Sequence, residues 1–204
     1  MKVKKRDGTL IDVSFDKVTN RLRILCNMTP KLVIIDPIEI AQKVCSQIYD
    51  GIPTSKLDEL SAEICISNTT KDLEYSMLAS RIMISNNHKL TPTKFSDAVE
   101  LLYKNTDSLN NHVPLISTKI YEIIKTHKEV INNAIVHERD YDFDYFSYKT
   151  LEKAYLFKSQ TKIVERIQYL FMRVSLGLHN NDIDKVLETY SNMSQKLFIH
   201  ATPT

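Results

Sequence analysis

Basic side chains cluster at the start of this 204-residue sequence, where they could bind a polyanion. Residues 1–25 contain seven Lys and Arg residues and three Asp residues, although the whole chain has a net charge of only +2. Lys5 and Arg6 precede Asp7-Gly8, and Lys17 lies at the start of a predicted helix. Lysine supplies a mobile point charge and arginine a bidentate fork, and both suit phosphate groups. The pattern alone leaves two interpretations open: a solvated basic face, or a site for a small polyanion such as a nucleotide phosphate.

Other candidate sites have less support. Asp140, Asp142 and Asp144 imitate the first ligand positions of an EF-hand loop, but Tyr145 and Leu151 stand where that loop needs Gly and Glu. We therefore expect a packed irregular segment with buried aromatic side chains. The six histidines lack the spacing of a metal site, and three glycines are too few for a Gly-rich phosphate loop. Spacing alone indicates no catalytic residue.

The composition is that of a helix-rich globular protein. Hydrophobic residues make up 43% and charged residues 25% of the chain, and few Gly or Pro residues interrupt it. No apolar run approaches the roughly 18 residues that cross a bilayer, and the N-terminus lacks a signal-peptide core. We expect a cytoplasmic protein that contacts neither membranes nor nucleic acid, since its charges are balanced.

The cysteines are expected to be structural. Cys26, Cys45 and Cys65 each fall at an apolar position of a predicted helix. Their odd number and wide spacing favour buried reduced thiols over a disulfide, a metal site or a nucleophile.

The predicted elements begin with a β-hairpin. Residues 3–6 and 9–15 flank Asp7-Gly8, a dipeptide typical of a type I′ turn. Four amphipathic helices follow, near residues 16–26, 37–50, 54–66 and 72–86. Asp36 is the expected N-cap of the second helix, and Thr54 or Ser55 that of the third.

Pro92 indicates a boundary, beyond which the pattern is almost wholly helical. Helices are predicted near residues 94–103, 115–131, 163–178 and 182–198. The predicted fold class is mainly α: a β-hairpin with four helices over residues 1–92, followed by an all-α helical domain over residues 93–204.

Several long stretches carry a resemblance to a known family. KKRDGTLIDVSFDKVTNRL (residues 4–22), with DPIEIAQKVCSQIYDGIPTSKLDELSAE and LASRIMISNNHK, resembles an ATP-cone, an allosteric nucleotide-binding module. ERDYDFDYFSYKTLEKAYLFK (138–158), ERIQYLFMRVSLGLH (165–179) and HATPT (200–204) resemble the region before the catalytic barrel of class I ribonucleotide reductase large subunits. Residues 1–92 would then be the ATP-cone and residues 93–204 the helical N-terminal domain.

The resemblance implies an allosteric site for ATP, an activator, or dATP, an inhibitor, bound together with Mg²⁺. Lys5 and Arg6 match phosphate contacts, and Asp58 matches the acid associated with telling dATP from ATP. Thr202 matches a substrate-nucleotide contact. No catalytic residue and no metal-ligating side chain is implied within these residues. The complete set of matched effector contacts is Lys5, Arg6, Ile11, Asp12, Val13, Ser14, Phe15, Asp16, Lys17, Thr54, Asp58 and Lys89.

The implied function is control of the conversion of ribonucleotides to deoxyribonucleotides, together with a small subunit, the rest of the large subunit and further copies of the chain. Residues 1–204 stop before the barrel, so they are expected to be inactive alone. Ile167 and Ser147 depart from the family's usual Pro and Gly, and residues 27–35 diverge from its pattern. The alternatives are a stand-alone adenine-nucleotide sensor and a helical interaction module, each acting on a reductase in trans.

Overall fold

The computed structural model describes residues 1–199 and divides them into two compact units. The first unit contains residues 1–86 and 143–148, and the second contains residues 87–142 and 149 onward. The division falls within a helix, and the boundary expected between residues 92 and 93 stays a prediction. Among residues 1–199, no helix is long and apolar enough to cross a membrane.

A three-stranded sheet opens the first unit. Strands β1 (Lys2–Lys4) and β2 (Leu10–Asp12) form the expected antiparallel hairpin, with Val3 opposite Ile11. A third strand, β3 (Ile52–Pro53), pairs with β1 in parallel and completes the order β2-β1-β3. Sequence reasoning missed β3 because two residues are too few to show an alternating pattern.

The hairpin turn differs from the predicted type I′ turn. A type I′ turn needs positive φ at both central residues, but only Gly8 in this loop has one, at 89°. The Gly8 N–H donates to Lys5 O and the Lys5 N–H donates to Thr9 O, which makes Arg6, Asp7 and Gly8 a three-residue loop. The prediction of two positive φ values was therefore wrong, and the extra loop residue is Arg6.

Four helices complete the first unit. They are α1 (Phe15–Cys26), α2 (Pro37–Ser46), α3 (Thr54–Ser67) and α4 (Glu74–Leu90), whose last residues belong to the second unit. Asp36 caps α2 as expected, because its side chain accepts from the Ile38 N–H. Thr54 is instead the first residue of α3, and Pro53 occupies the cap position without a side-chain hydrogen bond. The unit's core is made of buried apolar side chains, among them Leu22, Ile40, Val44, Ile52, Cys65, Leu78 and Ile82.

The second unit is helical with one small hairpin. Its helices are α5 (Phe95–Tyr103), α6 (Thr118–Thr126), α7 (Lys128–Ala134), α8 (Tyr145–Ala154), α9 (Ile167–His179) and α10 (Ile183–Ser194). A 3₁₀ helix spans His137–Asp142, and β4 (Lys158–Ser159) pairs with β5 (Lys162–Ile163). The first four residues of α8 belong to the first unit.

Three features of this region differ from expectation. The single helix predicted near residues 115–131 is two helices, α6 and α7, which meet at His127. Neither α8 nor the β4-β5 hairpin was predicted. In the acidic-aromatic run, Asp140 is buried and Phe146 is 65% exposed, so the expectation of buried aromatics was wrong there. The predicted mainly-α class, with a hairpin and four helices first, is confirmed.

Candidate functional site

The hairpin turn places Arg6 at its tip. Asp7 Oδ1 accepts hydrogen bonds from the Thr9 N–H at 2.9 Å and from Thr9 Oγ1 at 2.7 Å. These bonds span the turn and, led by the one from the Thr9 hydroxyl, lower the pKa of Asp7. Gly8 supplies the positive φ that the loop needs. The backbone thereby directs Arg6 toward the helices of the same unit.

Asp58 of α3 is the centre of the site. Its side chain is only 8% exposed and lies within bonding distance of two guanidinium groups. Arg6 Nη2 donates to Oδ2 at 3.2 Å, and Arg21 Nε, from α1, donates to Oδ1 at 2.5 Å. Two neighbours on α4 contribute further oxygens: Asn86 Oδ1 accepts from Arg6 Nη2 at 2.5 Å, and Ser85 Oγ accepts from Arg21 Nη1 at 3.4 Å. We call these five residues the arginine–aspartate cluster.

The cluster carries more positive charge than its one carboxylate neutralises. Both arginines keep part of their side chains in contact with water, 29% for Arg6 and 25% for Arg21. A guanidinium has five N–H donors, so neither arginine is saturated by the bonds it makes here. Surplus cationic donors at a partly open position are suited to an anion such as a phosphate group.

The segment from Ile11 to Lys17 runs from β2 into the first turn of α1. The Val13 N–H donates to Met1 O, and the Ser14 side chain caps α1 by accepting from the Lys17 N–H. Asp12, Asp16 and Lys17 are exposed, as are Lys5 and Phe15. The structure therefore places these predicted residues on the surface beside the hairpin, where a ligand can reach them.

Thr54 and Asp58 lie on the same face of α3, one helical turn apart. Lys89 lies in the last turn of α4 and belongs to the second unit. Thr202 lies outside the described residues. The predicted residues that the structure joins directly by side chains are Arg6 and Asp58.

Three members of the cluster were missed by sequence reasoning. In the sequence, Arg21 is only one of the seven basic residues near the N-terminus. Ser85 and Asn86 belong to no motif that indicates a site. Arg21 is 37 residues from Asp58, and Asn86 is 80 residues from Arg6. Contacts over such separations depend on how the helices pack, which periodicity does not encode.

The divergent segment at residues 27–35 is fastened by α4. Buried Arg81 donates to the backbone oxygens of Leu25 at 2.9 Å and Pro30 at 2.6 Å. The Glu74 carboxylate accepts from the backbone N–H groups of Val33 and Ile34. This segment is thus held against α4 by hydrogen bonds to its backbone.

The cysteines of the same unit do not contribute to the site. Burial raises the pKa of Cys26 to about 11 and that of Cys65 to about 12, so both thiols stay protonated. Cys26 and Cys65 are buried and Cys45 is partly buried, and all three are free thiols. Within residues 1–199, no group of three or more His, Cys, Asp or Glu side chains could hold a metal ion.

Comparison with known proteins identifies both regions of the chain. A family described as the ATP cone domain matches residues 1–90, and one described as ribonucleotide reductase, all-alpha domain matches residues 141–204. The chain therefore carries two N-terminal domains of the ribonucleotide reductase family, the ATP cone and the all-alpha domain. The cluster around Asp58 therefore lies within the ATP cone, the nucleotide-binding regulatory module of this family.

Ribonucleotide reductase large subunits from distant organisms align with the whole chain. Identity is 46% to the ribonucleoside-diphosphate reductase large subunit of Dictyostelium discoideum and 46% to that of Vaccinia virus (strain Copenhagen). It is 43% to the large chain of Schizosaccharomyces pombe (strain 972 / ATCC 24843). Each alignment covers 100% of this chain and 24%, 26% and 25% of the respective relative. The chain thus spans about a quarter of the length of these relatives.

Proposed function

We propose that the first unit binds ATP or dATP, with Mg²⁺, as an allosteric effector of a ribonucleoside-diphosphate reductase. The observation that carries this proposal is the arginine–aspartate cluster, a surplus of guanidinium donors at the tip of a hairpin within an ATP cone. Lys5 and Lys17 add exposed positive charge near the same hairpin. Phosphate groups bind where such donors are already oriented.

Several features extend the proposed site beyond the cluster. Pro53 leaves the N-terminus of α3 without a side-chain cap, so the first N–H groups of this helix are available to an anion. Thr54 supplies a hydroxyl at that end of the helix, and Ile11 to Lys17 are proposed to contribute backbone groups. Lys89 is a further proposed contact, and Thr202 is proposed as a substrate-nucleotide contact.

The proposed biological role is feedback control of deoxyribonucleotide synthesis. ATP would favour the active enzyme and dATP an inactive assembly, which requires the two ligands to differ in affinity between assembly states. The chain would act with the rest of the large subunit, a small subunit and further copies of itself, in the cytoplasm. Its relatives in the comparison carry the name of the reductase large subunit, which supports this role over that of a separate sensor.

Calorimetric titration with ATP, dATP, GTP and dTTP tests the proposal. We expect binding of ATP and dATP, little response to GTP or dTTP, and an affinity loss of about tenfold in Lys5→Ala, because one charged phosphate contact is removed. Lys119→Ala, at an exposed lysine on α6, is the matched control and should bind like the wild type. No heat with any of the four nucleotides would contradict the proposal.

A second titration tests discrimination. ATP and dATP differ only by the 2′-hydroxyl, and Asp58 is the carboxylate proposed to sense it. Asp58→Asn should bring the two dissociation constants closer together. Unchanged discrimination in this variant would remove Asp58 from that role without affecting the proposal that adenine nucleotides bind.

A further inference from the structure

Arg21 uses only one of the two guanidinium donors on the edge that faces Asp58. The Nε and Nη2 atoms lie on one edge of the guanidinium plane, the edge that forms a two-pronged pair with a carboxylate. Arg21 Nε donates to Asp58 Oδ1 at 2.5 Å. Among the described residues, Arg21 Nη2 is buried and has no hydrogen-bond partner.

The acceptor that would complete the pair is occupied by Arg6. Asp58 Oδ2 accepts from Arg6 Nη2 at 3.2 Å, so the carboxylate gives one oxygen to each arginine. In the second unit, Glu165 and Arg173 show the completed geometry: Arg173 Nε donates to Oε1 at 2.7 Å and Nη2 donates to Oε2 at 3.1 Å. Arg21 lacks only the second of these two bonds.

Arg6 is the partner that a ligand can remove. It lies at the tip of the hairpin, its side chain is 29% exposed, and a phosphate group can take both of its terminal nitrogens. Asp58 is almost completely buried, and a buried carboxylate oxygen that loses its charged donor is destabilising even though Arg21 still holds the other oxygen. Arg6 can therefore move to a ligand at low free energy only if another cation takes over the oxygen that it leaves.

We propose that Asp58 exchanges arginines when the nucleotide binds, an inference that rests on the proposed function. In the empty site Asp58 is shared; when the effector phosphates take Arg6, Asp58 Oδ2 passes to Arg21 Nη2 and the pair becomes bidentate. Arg21 is then a positioning residue, which touches no ligand and makes Arg6 available. The exchange also gives the buried Nη2 donor the partner that it lacks.

The exchange predicts an energetic coupling between the two arginines. When Arg21 is removed, Arg6 is the remaining arginine on Asp58. A nucleotide that binds Arg6 would then leave the buried carboxylate without a counter-ion, which lowers the affinity. Removing Arg6 first leaves Arg21 on Asp58 in both the empty and the bound state. Loss of Arg21 then affects both states equally and leaves the affinity almost unchanged.

Calorimetry on the full chain measures this coupling. Wild type, Arg6→Gln, Arg21→Gln and the double variant are titrated with Mg-ATP, after thermal unfolding shows that each one folds. We expect Arg21→Gln to lower affinity about tenfold in the wild-type background and less than twofold in the Arg6→Gln background. Arg21→Lys keeps the charge but lacks the fork, and should lose nearly as much as Arg21→Gln.

Arg23→Gln is the matched control, because Arg23 is an exposed arginine on the same helix whose bond is to Asn20. Its affinity should stay within about twofold of the wild type. Equal losses from Arg21→Gln in both backgrounds would overturn the exchange, since they would indicate a direct ligand contact or a general structural role. Wild-type affinity in Arg21→Gln would overturn it as well.

A second measurement needs no nucleotide. In ¹⁵N NMR spectra, a bidentate pair slows rotation of the Arg21 Nη2 group and resolves its proton signals. We expect averaged signals in the empty wild type and resolved signals in empty Arg6→Gln, where Oδ2 has been released. Identical spectra would overturn the exchange even if ATP binds. Resolved signals together with no ATP binding would show that Arg21 takes the oxygen that Arg6 leaves, and would overturn the proposed function, and with it the nucleotide as the trigger.

Discussion

The two compact units each bury a carboxylate against arginine, but they do so in opposite ways. In the second unit, Glu165 is 1% exposed and pairs with Arg173 through both oxygens. The Phe157 N–H donates to the same carboxylate at 2.8 Å, and the Arg173 guanidinium lies over the Phe157 ring, 3.7 Å from its centre. One cation and one anion satisfy each other in a closed pair.

In the first unit, Asp58 faces two cations and completes a fork with neither. Both arginines remain partly open to water, and within residues 1–199 the buried Arg21 Nη2 donor has no partner. The difference separates a pair that stabilises the fold from a cluster that has capacity for a ligand. Unequal charge and an unfilled donor, rather than burial alone, distinguish the proposed functional site.

The largest expected effect tests the closed pair. Glu165→Gln should lower the free energy of unfolding by about 3–5 kcal/mol, because the Arg173 charge loses its counter-ion in a buried environment. Urea unfolding measures the change. Glu63→Gln, at an exposed position on α3, is the control and should shift stability by less than about 0.5 kcal/mol. If Glu165→Gln lowers the free energy of unfolding by less than about 1 kcal/mol, the pair in the second unit is not the more stabilising of the two sites.

The corresponding change in the first unit should be milder. Asp58→Asn should cost about 1–2 kcal/mol, because Arg6 and Arg21 can turn to water when their carboxylate is removed. Salt sharpens the comparison: 1 M NaCl should reduce the effect of Asp58→Asn and leave that of Glu165→Gln nearly unchanged. Equal salt sensitivity of the two variants would argue against an open first-unit cluster.

The hairpin turn should show a still smaller effect. Gly8→Ala should cost about 1 kcal/mol, because alanine tolerates a φ of 89° poorly even though an added Cβ meets nothing within 4 Å. Affinity for ATP should fall with it, since the turn orients Arg6. Gly177→Ala in α9 also meets no atom within 4 Å but has helical φ, and should stabilise by up to about 1 kcal/mol. Destabilisation by both substitutions would rule out φ as the cause.

The smallest expected effect is a pH dependence in the second unit. Burial, assisted by Arg166, lowers the pKa of His137 below its ordinary 6.5, and Asp140 opposes that shift. Arg166 Nη1 lies 3.3 Å from His137 Nδ1, which accepts only in the neutral ring. The unfolded chain therefore binds the proton first as the pH falls through about 6.5, so stability should decrease there.

Unfolding midpoints measured between pH 5 and 7.5 test this dependence. His137→Gln should flatten the slope, whereas His127→Gln, at the junction of α6 and α7, should keep it. A wild-type slope in His137→Gln would assign the pH response to another group.

Much of the local structure was predictable because its causes are local. Ser14, Asp36 and Ser117 cap the helices that follow them, and Gly8 makes the hairpin possible. Apolar periodicity located α1 to α5 to within a few residues. The misses have local causes too, since β3 is only two residues long and His127 interrupts a helix that periodicity would continue.

The candidate site was predictable only in part. The motifs pointed to Arg6 and Asp58, and their ion pair is present in the structure. Arg21, Ser85 and Asn86 were not predictable, because their roles depend on the packing of α1, α3 and α4. The effector role of each matched residue stays a prediction until the titrations are done.

The sequence by itself predicted the first hairpin and most of the helices, and its motifs indicated the family that the chain resembles. The predicted elements follow from side-chain types, caps and periodicity within short windows, whereas the family came from a resemblance to known motifs. Only the tertiary structure decided that Asp58 pairs with two arginines and that Arg21 binds it through Nε alone. A hydrogen bond between residues 37 or 52 positions apart requires the hairpin and the helices to be packed first, and among the residues that the structure describes this packing leaves Arg21 Nη2 without a partner.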